Sequence, residues 1–155
     1  MNKFYKLIQI IFTVLLLSNC QTDNQTNMDT INNYIEAINS ANIDNVCDLL
    51  TNDHIFIDSQ DNRFIGAENM RAAWTQYFEM FPDYKIEINE TIENDSIISL
   101  FGYASGTYKN LKNKENSNFW RIPAAWKAIV KDDKIKFWQV YADNIIVMDI
   151  IKKNQ

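Results

Sequence analysis

The chain has 155 residues and a formal net charge of −5, which favours a single domain and argues against a nucleic-acid-binding protein. No cluster of Lys and Arg with interleaved aromatic residues offsets this acidic balance. The sequence is 46% hydrophobic and 13% aromatic, so it has enough apolar side chains for a core, or for a core and an apolar cavity.

The first residues are typical of a secretory leader. Lys3 and Lys6 precede an apolar run at 7–17, which is too short to cross a bilayer comfortably as a helix. The next residues, LSNC at 17–20, resemble the lipobox of bacterial lipoproteins, although Asn19 departs from the small residue usual before the Cys.

This resemblance implies that Cys20 is lipidated and becomes the N-terminus of the mature protein. We expect a lipoprotein-type signal peptide at 1–19, a lipidated Cys with a flexible tether at 20–27, and a folded domain at 28–155. The domain would then be tied to a membrane of the bacterial cell envelope, in the periplasm or at the cell surface. An ordinary secretory signal followed by a chance Cys is the alternative.

The first half of the expected domain is mainly helical, because its apolar residues recur at helical spacing. We predict helices at 28–41, about 43–50 and 67–80, and a strand at 54–58. Asp29 or Thr30 could cap the first helix, and Pro82 follows the third. Cys47 lies in the second helix among apolar neighbours, and we interpret it as a small buried residue.

After Pro82 the apolar residues alternate with a period of two, which predicts strands. We predict strands at 84–92, 96–109 and 119–130, a hairpin loop at 111–118, a tight turn at 131–134, and a last strand at 135–148. Gly102 and Gly106 predict a bulge or bend in the second of these strands, and Pro123 predicts a break in the third. Helices first and strands last indicate an α+β fold, with helices on one face of a curved sheet.

The last strand has two unlike faces, because residues two apart on a strand share a face. The polar row is Gln139, Tyr141 and Asp143, and the apolar row is Trp138, Val140 and Ala142. We expect the polar row to face a pocket. The row with Trp138 would then face outward, as the interface of a homodimer or beneath another element of the same chain.

Several stretches resemble, in order, the nuclear transport factor 2-like superfamily in its SnoaL-like polyketide cyclase branch. They are SANID at 40–44, Asp58, Gly66, MFPDYKIEI at 80–88, GTY at 106–108 and YAD at 141–143. The resemblance implies a cone-shaped α+β barrel: three N-terminal helices packed on a strongly curved, mainly antiparallel sheet around a deep pocket. This superfamily contains cyclases, isomerases, hydrolases, dehydratases and non-enzymatic binding modules, so its fold does not decide function.

The resemblance also implies that Asp143 acts as a general acid or base inside the pocket. A carboxylate on a half-apolar strand would be partly desolvated, which raises its pKa toward the range useful for proton transfer. His54 and Asp58 share a face of their strand and could complete a catalytic set with Asp143. The alternatives are a capping or ion-paired Asp143, a structural His54, and an Asp58 that bonds its own turn.

The many aromatic residues favour a pocket for a flat, apolar small molecule, since each indole N–H and phenol O–H needs a partner. The candidate ligand-binding residues are Trp74, Phe78, Tyr103, Trp126 and Tyr141. Core packing is the alternative for each. One His and one remaining Cys do not make a zinc site, and we find no nucleotide-binding motif, so we expect no metal and no cofactor.

The sequence therefore leaves three hypotheses for function. The first is a membrane-anchored domain that binds an apolar or aromatic small molecule. The second is an isomerase, cyclase or dehydratase that uses Asp143 as general acid and base. The third is an interaction domain whose pocket is filled by its own side chains.

Overall fold

The computed structural model of the protein describes residues 26–109 and 118–154. The predicted signal peptide, Cys20, most of the tether and most of the hairpin loop lie outside the described residues. The helices are α1 (Asn27–Asn39), α2 (Ile43–Asp48), α3 (Ala67–Met80) and α4 (Ile145–Asn154). The strands are β1 (Leu50–Ile57), β2 (Arg63–Ile65), β3 (Lys85–Asn94), β4 (Ile97–Thr107), β5 (Phe119–Lys131) and β6 (Lys134–Ala142).

The six strands form one curved, unclosed sheet in the order β2-β1-β6-β5-β4-β3. Neighbouring strands are antiparallel, except that β1 and β6 are parallel. Helix α1 packs against β3, β5 and β6, and α3 packs against β1 and β2. This arrangement confirms the predicted α+β fold with helices on a mainly antiparallel curved sheet. Among the described residues, no helix combines the length and hydropathy that crossing a bilayer requires.

The close approach of β3 and β4 explains a glycine in the middle of the sheet. A Cβ atom at Gly102 would lie 1.8 Å from the carbonyl oxygen of Glu87, so no other residue fits there without a backbone shift. Strand β3 carries a bulge between Ile88 and Glu90, beside this contact. The expected bulge therefore lies on the strand that faces Gly102, where it increases the local bend.

Strand β5 continues through Pro123, so the predicted break is wrong. Pro123 pairs with Tyr103 of β4, whereas the pairing of β6 ends at Ala124. At Pro123 the strand therefore has a neighbour on one side only. A proline is tolerated at such a position because its missing N–H removes no ladder hydrogen bond on the open side.

Helix α1 begins earlier than predicted. Its N-cap is Thr26, whose side chain accepts a hydrogen bond from the backbone N–H of Asp29. The Asp29 carboxylate in turn accepts from the backbone N–H of Thr26, which completes a capping box. Thr30, the other predicted cap, is buried inside the helix. Ile31 and Tyr34, whose spacing predicted the helix, are fully buried on its inner side.

The end of the chain is a helix, not the predicted continuation of the last strand. Strand β6 ends at Ala142 and α4 follows from Ile145. Asp143 accepts a hydrogen bond from the Ile145 backbone N–H at 3.0 Å, which satisfies one of the free donors at the helix start. Lys152 and Lys153 lie in its last turn, where cations stabilise the helix dipole.

Candidate functional site

A cavity of about 600 Å³ lies between the concave face of the sheet and helices α3 and α4. This volume is within the range of pockets that bind small molecules. Most of its wall is apolar, and the aromatic residues include Phe56, Trp74, Phe81, Trp120, Trp126 and Trp138. The side chains of the domain therefore leave the concave side of the sheet partly unfilled.

The rim of this cavity is polar. Among the described residues that line it, the charged ones are Asp58 and Arg63. Asp58 is occupied by its own turn, because one carboxylate oxygen accepts the backbone N–H groups of Gln60 and Asn62 at 2.8 and 2.9 Å. Its other oxygen accepts the Asn62 side-chain amide at 2.9 Å. The interpretation of Asp58 as a turn residue is therefore confirmed, and its carboxylate is held at the rim.

The predicted orientation of the last strand is wrong. Trp138 is 1% exposed, and Trp138, Val140 and Ala142 line the cavity. Tyr141 is 51% exposed on the opposite face of the sheet, so it does not reach the cavity. The physical reason is the free energy of burying apolar surface, which favours the apolar row beneath the helices. Trp138 therefore packs beneath other elements of its own chain, which is the alternative to a homodimer interface.

Asp143 lies outside the cavity. It borders an open depression of about 700 Å³ on the outer face of the sheet, together with Phe101, Pro123 and Tyr141. Its carboxylate accepts the N–H that begins α4, as described above. The capping alternative therefore describes Asp143, and its assignment as an acid or base inside the cavity loses its geometric basis.

The two arginines considered as partners for Asp143 are paired elsewhere. Arg71 donates to Asp44 at 2.6 Å, and Arg121 donates to Glu87 at 3.0 Å. The Arg121 guanidinium also lies 3.4 Å from the centre of the Tyr103 ring. Tyr103 therefore belongs to the outer surface of the sheet and is not part of the cavity wall, contrary to its proposed ligand-binding role.

His54 is fully buried and serves the fold. Its Nδ1 lies 2.8 Å from the carbonyl oxygen of Ile135, which can only accept, so Nδ1 carries the proton. Burial lowers the pKa of His54 to about 4, opposed by this hydrogen bond, so the ring is neutral near pH 7. His54 is not among the residues that line the cavity. The structure does not bring His54, Asp58 and Asp143 together in one site.

Two of the predicted ligand-binding residues do line the cavity, namely Trp74 and Trp126. Phe78 is buried behind Trp74, with ring centroids 5.1 Å apart and nearly parallel planes, and it supports the wall from outside. Whether Trp74 and Trp126 contact a ligand stays a prediction.

Two tyrosines of the cavity wall were not predicted as ligand-binding residues. Tyr77 lies one helical turn after Trp74 on α3, and Tyr84 lies in the segment that leads into β3. Their rings are perpendicular, with centroids 5.0 Å apart. Burial raises the pKa of both hydroxyl groups, so both stay protonated. The helical spacing from Trp74 was a signal for Tyr77, whereas the position of Tyr84 depends on the chain path after Pro82.

Within residues 26–109 and 118–154, no group of three or more His, Cys, Asp or Glu side chains is arranged to hold a metal ion.

Several solved structures share this fold. A protein with a ketosteroid isomerase-like fold from Catenulispora acidiphila DSM 44928, in complex with trimethylamine, superposes with a TM-score of 0.69 at 14% identity, covering 80% of this chain and 92% of that one. A protein assigned to the SnoaL-like polyketide cyclases from Shewanella denitrificans OS-217 superposes with a TM-score of 0.69 at 13% identity, covering 82% of this chain and 97% of that one. An LEH-like epoxide hydrolase from M. tuberculosis superposes with a TM-score of 0.67 at 12% identity, covering 83% of this chain and 90% of that one.

At these identities the likeness shows the fold alone. No curated protein matches the sequence closely enough to count as a relative. The family model of the SnoaL-like domain matches residues 31–138, which is well over half of the chain and extends from α1 into β6. The chain therefore belongs to the SnoaL-like domain family, within the nuclear transport factor 2-like superfamily.

Proposed function

We propose that this protein is a membrane-anchored, small-molecule-binding domain of SnoaL-like type, whose cavity takes an apolar or aromatic ligand. The observation that carries the proposal is the cavity of about 600 Å³ with an aromatic wall and a polar rim. Small-molecule sites are commonly concave and apolar, with a few polar groups that orient the ligand.

The composition of the wall supports a flat ligand. Trp74, Trp120 and Trp126 all line the cavity, and aromatic pairs add about 0.5–1.5 kcal/mol each beyond the burial of apolar area. The charged lining residues, Asp58 and Arg63, lie at the rim and not in the interior. A neutral, mainly apolar molecule therefore suits the interior better than a polyanion or a nucleotide.

The alternative of an isomerase, cyclase or dehydratase that uses Asp143 has less support. Asp143 lies on the outer face, and the neutral His54 does not line the cavity. The cyclase and epoxide hydrolase among the structural neighbours share the fold with this chain at 12–13% identity, which carries no activity across.

Binding can be tested with the neutral fluorescent probe N-phenyl-1-naphthylamine and the unlipidated chain 21–155, which contains every described helix and strand. We expect saturable binding at one site with a blue shift of the probe emission. Ala73→Phe, which places a ring in the cavity, should weaken binding, whereas the matched control Ala125→Phe on the other face of the sheet should not. Absence of saturable binding, or equal effects of the two substitutions, would refute the cavity as the site.

The anchor can be tested separately in a bacterial host with a clickable palmitate analogue. The full chain should incorporate the label and fractionate with membranes. Cys20→Ser should lose the label, and Cys47→Ser should keep it, because Cys47 is buried in the domain. Labelling that persists in Cys20→Ser would contradict lipidation at this residue.

A further inference from the structure

The outer face of the sheet carries a second concave region, the open depression of about 700 Å³ that Asp143 borders. Phe101 on β4 pairs with Ala125 on β5, and Ala125 pairs with Tyr141 on β6, so these three side chains form one row across the sheet. All three residues line the depression. Phe101 and Tyr141 are two strand spacings apart, about 10 Å, with the methyl group of Ala125 between them. We call this row the aromatic slot.

The rings beside the aromatic slot each hold a cation of this chain. The Arg121 guanidinium lies 3.4 Å from the centre of the Tyr103 ring, and the Lys127 ammonium lies 5.5 Å from the centre of the Phe137 ring. Arg121 is also paired with Glu87, and neither basic residue lines the depression. In the part of the chain that the structure describes, no cation lies over the two rings of the slot. These two rings belong to residues that are 40% and 51% exposed, so a cation from solution can reach them.

Asp143 gives the depression a negative charge. It is the charged residue of the described lining, and the other side chains there, apart from the Tyr141 hydroxyl, are apolar. One carboxylate oxygen of Asp143 accepts the backbone N–H of Ile145, whereas the second oxygen has no donor among the described residues. A positively charged molecule is therefore favoured here over an anion, which this carboxylate would repel.

The kind of cation follows from the hydrogen-bonding groups of the depression. A cation over Ala125 can come within about 6 Å of both rings of the slot, the distance over which an aromatic ring attracts it. A primary ammonium has three donors, but the side-chain acceptors here are one oxygen of Asp143 and the hydroxyl of Tyr141. A donor that loses water without gaining a partner is unfavourable. A quaternary ammonium group has the charge and no donor, so it leaves no hydrogen bond unmade against apolar walls.

We propose that the aromatic slot binds the quaternary ammonium group of a small molecule. Phe101 and Tyr141 attract this group through their rings, and Asp143 attracts it through its charge. The slot lies on the opposite face of the sheet from the cavity of about 600 Å³. It is therefore a second ligand site, which goes beyond the proposed function and does not depend on it.

The test titrates isotope-labelled chain 21–155 with choline and with 3,3-dimethyl-1-butanol, in which carbon replaces the charged nitrogen at nearly equal shape. The backbone amide signals of Gly102, Ala125 and Tyr141 report occupation of the slot in nuclear magnetic resonance spectra. We expect saturable shifts with choline, at an affinity at least about fivefold above that for the neutral alcohol. Ethanolamine, which carries a primary ammonium, should also bind more weakly than choline.

Substitutions in the slot have matched controls elsewhere on the surface. Tyr141→Leu and Asp143→Asn should each lower the affinity for choline at least about threefold. Asp143→Asn keeps an oxygen that can accept the N–H at the helix start, so its effect reports the lost charge. The controls are Phe119→Leu, at a residue that is 54% exposed, and Asp149→Asn, at an exposed carboxylate on α4. Neither control residue lines the depression, so both variants should bind choline like the unaltered protein.

Equal affinity for choline and the neutral alcohol overturns the proposal, and so does an equal loss of affinity in the slot variants and the controls. A dimer whose formation shifts the same amide signals without choline also overturns it, because a second copy then occupies the slot. Circular dichroism shows that each variant is folded.

Vesicles identify the source of the ammonium group once choline binds. Cosedimentation with phosphatidylcholine but not with phosphatidylglycerol vesicles assigns the group to a lipid, and its absence assigns the group to a free molecule. Binding of N-phenyl-1-naphthylamine in the cavity should be the same with and without choline, so the two sites are judged separately.

Discussion

Asp143 and Ile145 are joined by a hydrogen bond of 3.0 Å from the Ile145 backbone N–H to the Asp143 carboxylate, on the face of the sheet that points away from the cavity. This bond ends the last strand and begins the C-terminal helix. It places Val147 against the core, where it forms part of the cavity wall. Asp143 therefore supports the start of the helix and is not among the residues that line the cavity.

The first prediction follows from this placement. Asp143→Ala should lower the free energy of unfolding by about 1 kcal/mol, because one N–H at the helix start loses its acceptor. Asp143→Asn keeps a side-chain oxygen as acceptor and should lower the free energy of unfolding by less. Neither substitution should change the affinity for N-phenyl-1-naphthylamine. Urea unfolding and probe titration check both statements, and loss of binding in a folded Asp143→Asn protein would contradict them.

The second prediction concerns the pH dependence of stability and the buried His54. Burial lowers its pKa from 6.5 to about 4, so between these values the unfolded chain binds a proton that the folded chain does not. Stability is therefore fully present above pH 6.5 and falls as the pH decreases toward 4, by about 3 kcal/mol in total.

Urea unfolding between pH 4 and 8 measures this slope. The His54→Gln variant, whose side chain cannot titrate, should be less stable than the unaltered protein at pH 7. Its free energy of unfolding should, however, fall less between pH 7 and pH 4. Lys136 is the charged neighbour that disfavours protonation of His54, and it is paired with Asp53. The pKa of Asp53 lies below its usual value, mainly because of its bond with Lys136, so its own effect on stability is lost only below about pH 4. An unchanged slope in His54→Gln would contradict the prediction.

The third prediction uses the two glycines of β4. Gly102→Ala should lower the free energy of unfolding by at least about 2 kcal/mol, since its Cβ would overlap the backbone oxygen of Glu87 at 1.8 Å. Gly106→Ala meets a side chain, Trp120, at 3.3 Å, and should cost less because that ring can shift. Urea denaturation compares the free energies of unfolding of the two variants directly. Equal losses would contradict the prediction, because they would show that β3 shifts away from the new Cβ without a penalty.

The fourth prediction concerns the thiol of Cys47. It is 8% exposed, and burial raises its pKa, so both access and nucleophilicity are low. In chain 21–155, Cys47 should react with Ellman's reagent at a rate limited by unfolding, and rapidly in urea. Fast reaction of the folded protein at pH 7 would contradict its interpretation as a core residue.

The candidate site could be predicted only in part, and the reason differs between residues. Trp74 and Trp126 were identified because large aromatic residues at helix and strand spacing must face a core or a cavity. Tyr84 opens the predicted strand at 84–92 and was missed because alternation does not show which face of a strand lines a cavity. The wall position of Tyr84 depends on how the turn after Pro82 carries the chain from α3 into β3.

The orientation of β6 shows the limit of pattern alone. An alternating pattern shows which residues share a face of a strand, but it does not show which of the two faces is inside. The polar row was assigned inward by resemblance to catalytic relatives, and the structure puts the apolar row there. The start of α4 was missed for a related reason, since an apolar run after β6 satisfies the pattern of a strand as well as that of a helix.

The sequence by itself determined the α+β class, the order of the first three helices and the strands, and membership of a family whose fold forms a cavity. These follow from local periodicity and turn chemistry, which each segment carries within itself. Only the tertiary structure decided that His54 is neutral and structural, that Asp143 lies outside, and that Tyr77 and Tyr84 meet in the wall. These facts depend on contacts between residues far apart in the chain, and burial and packing, not spacing, set their energies.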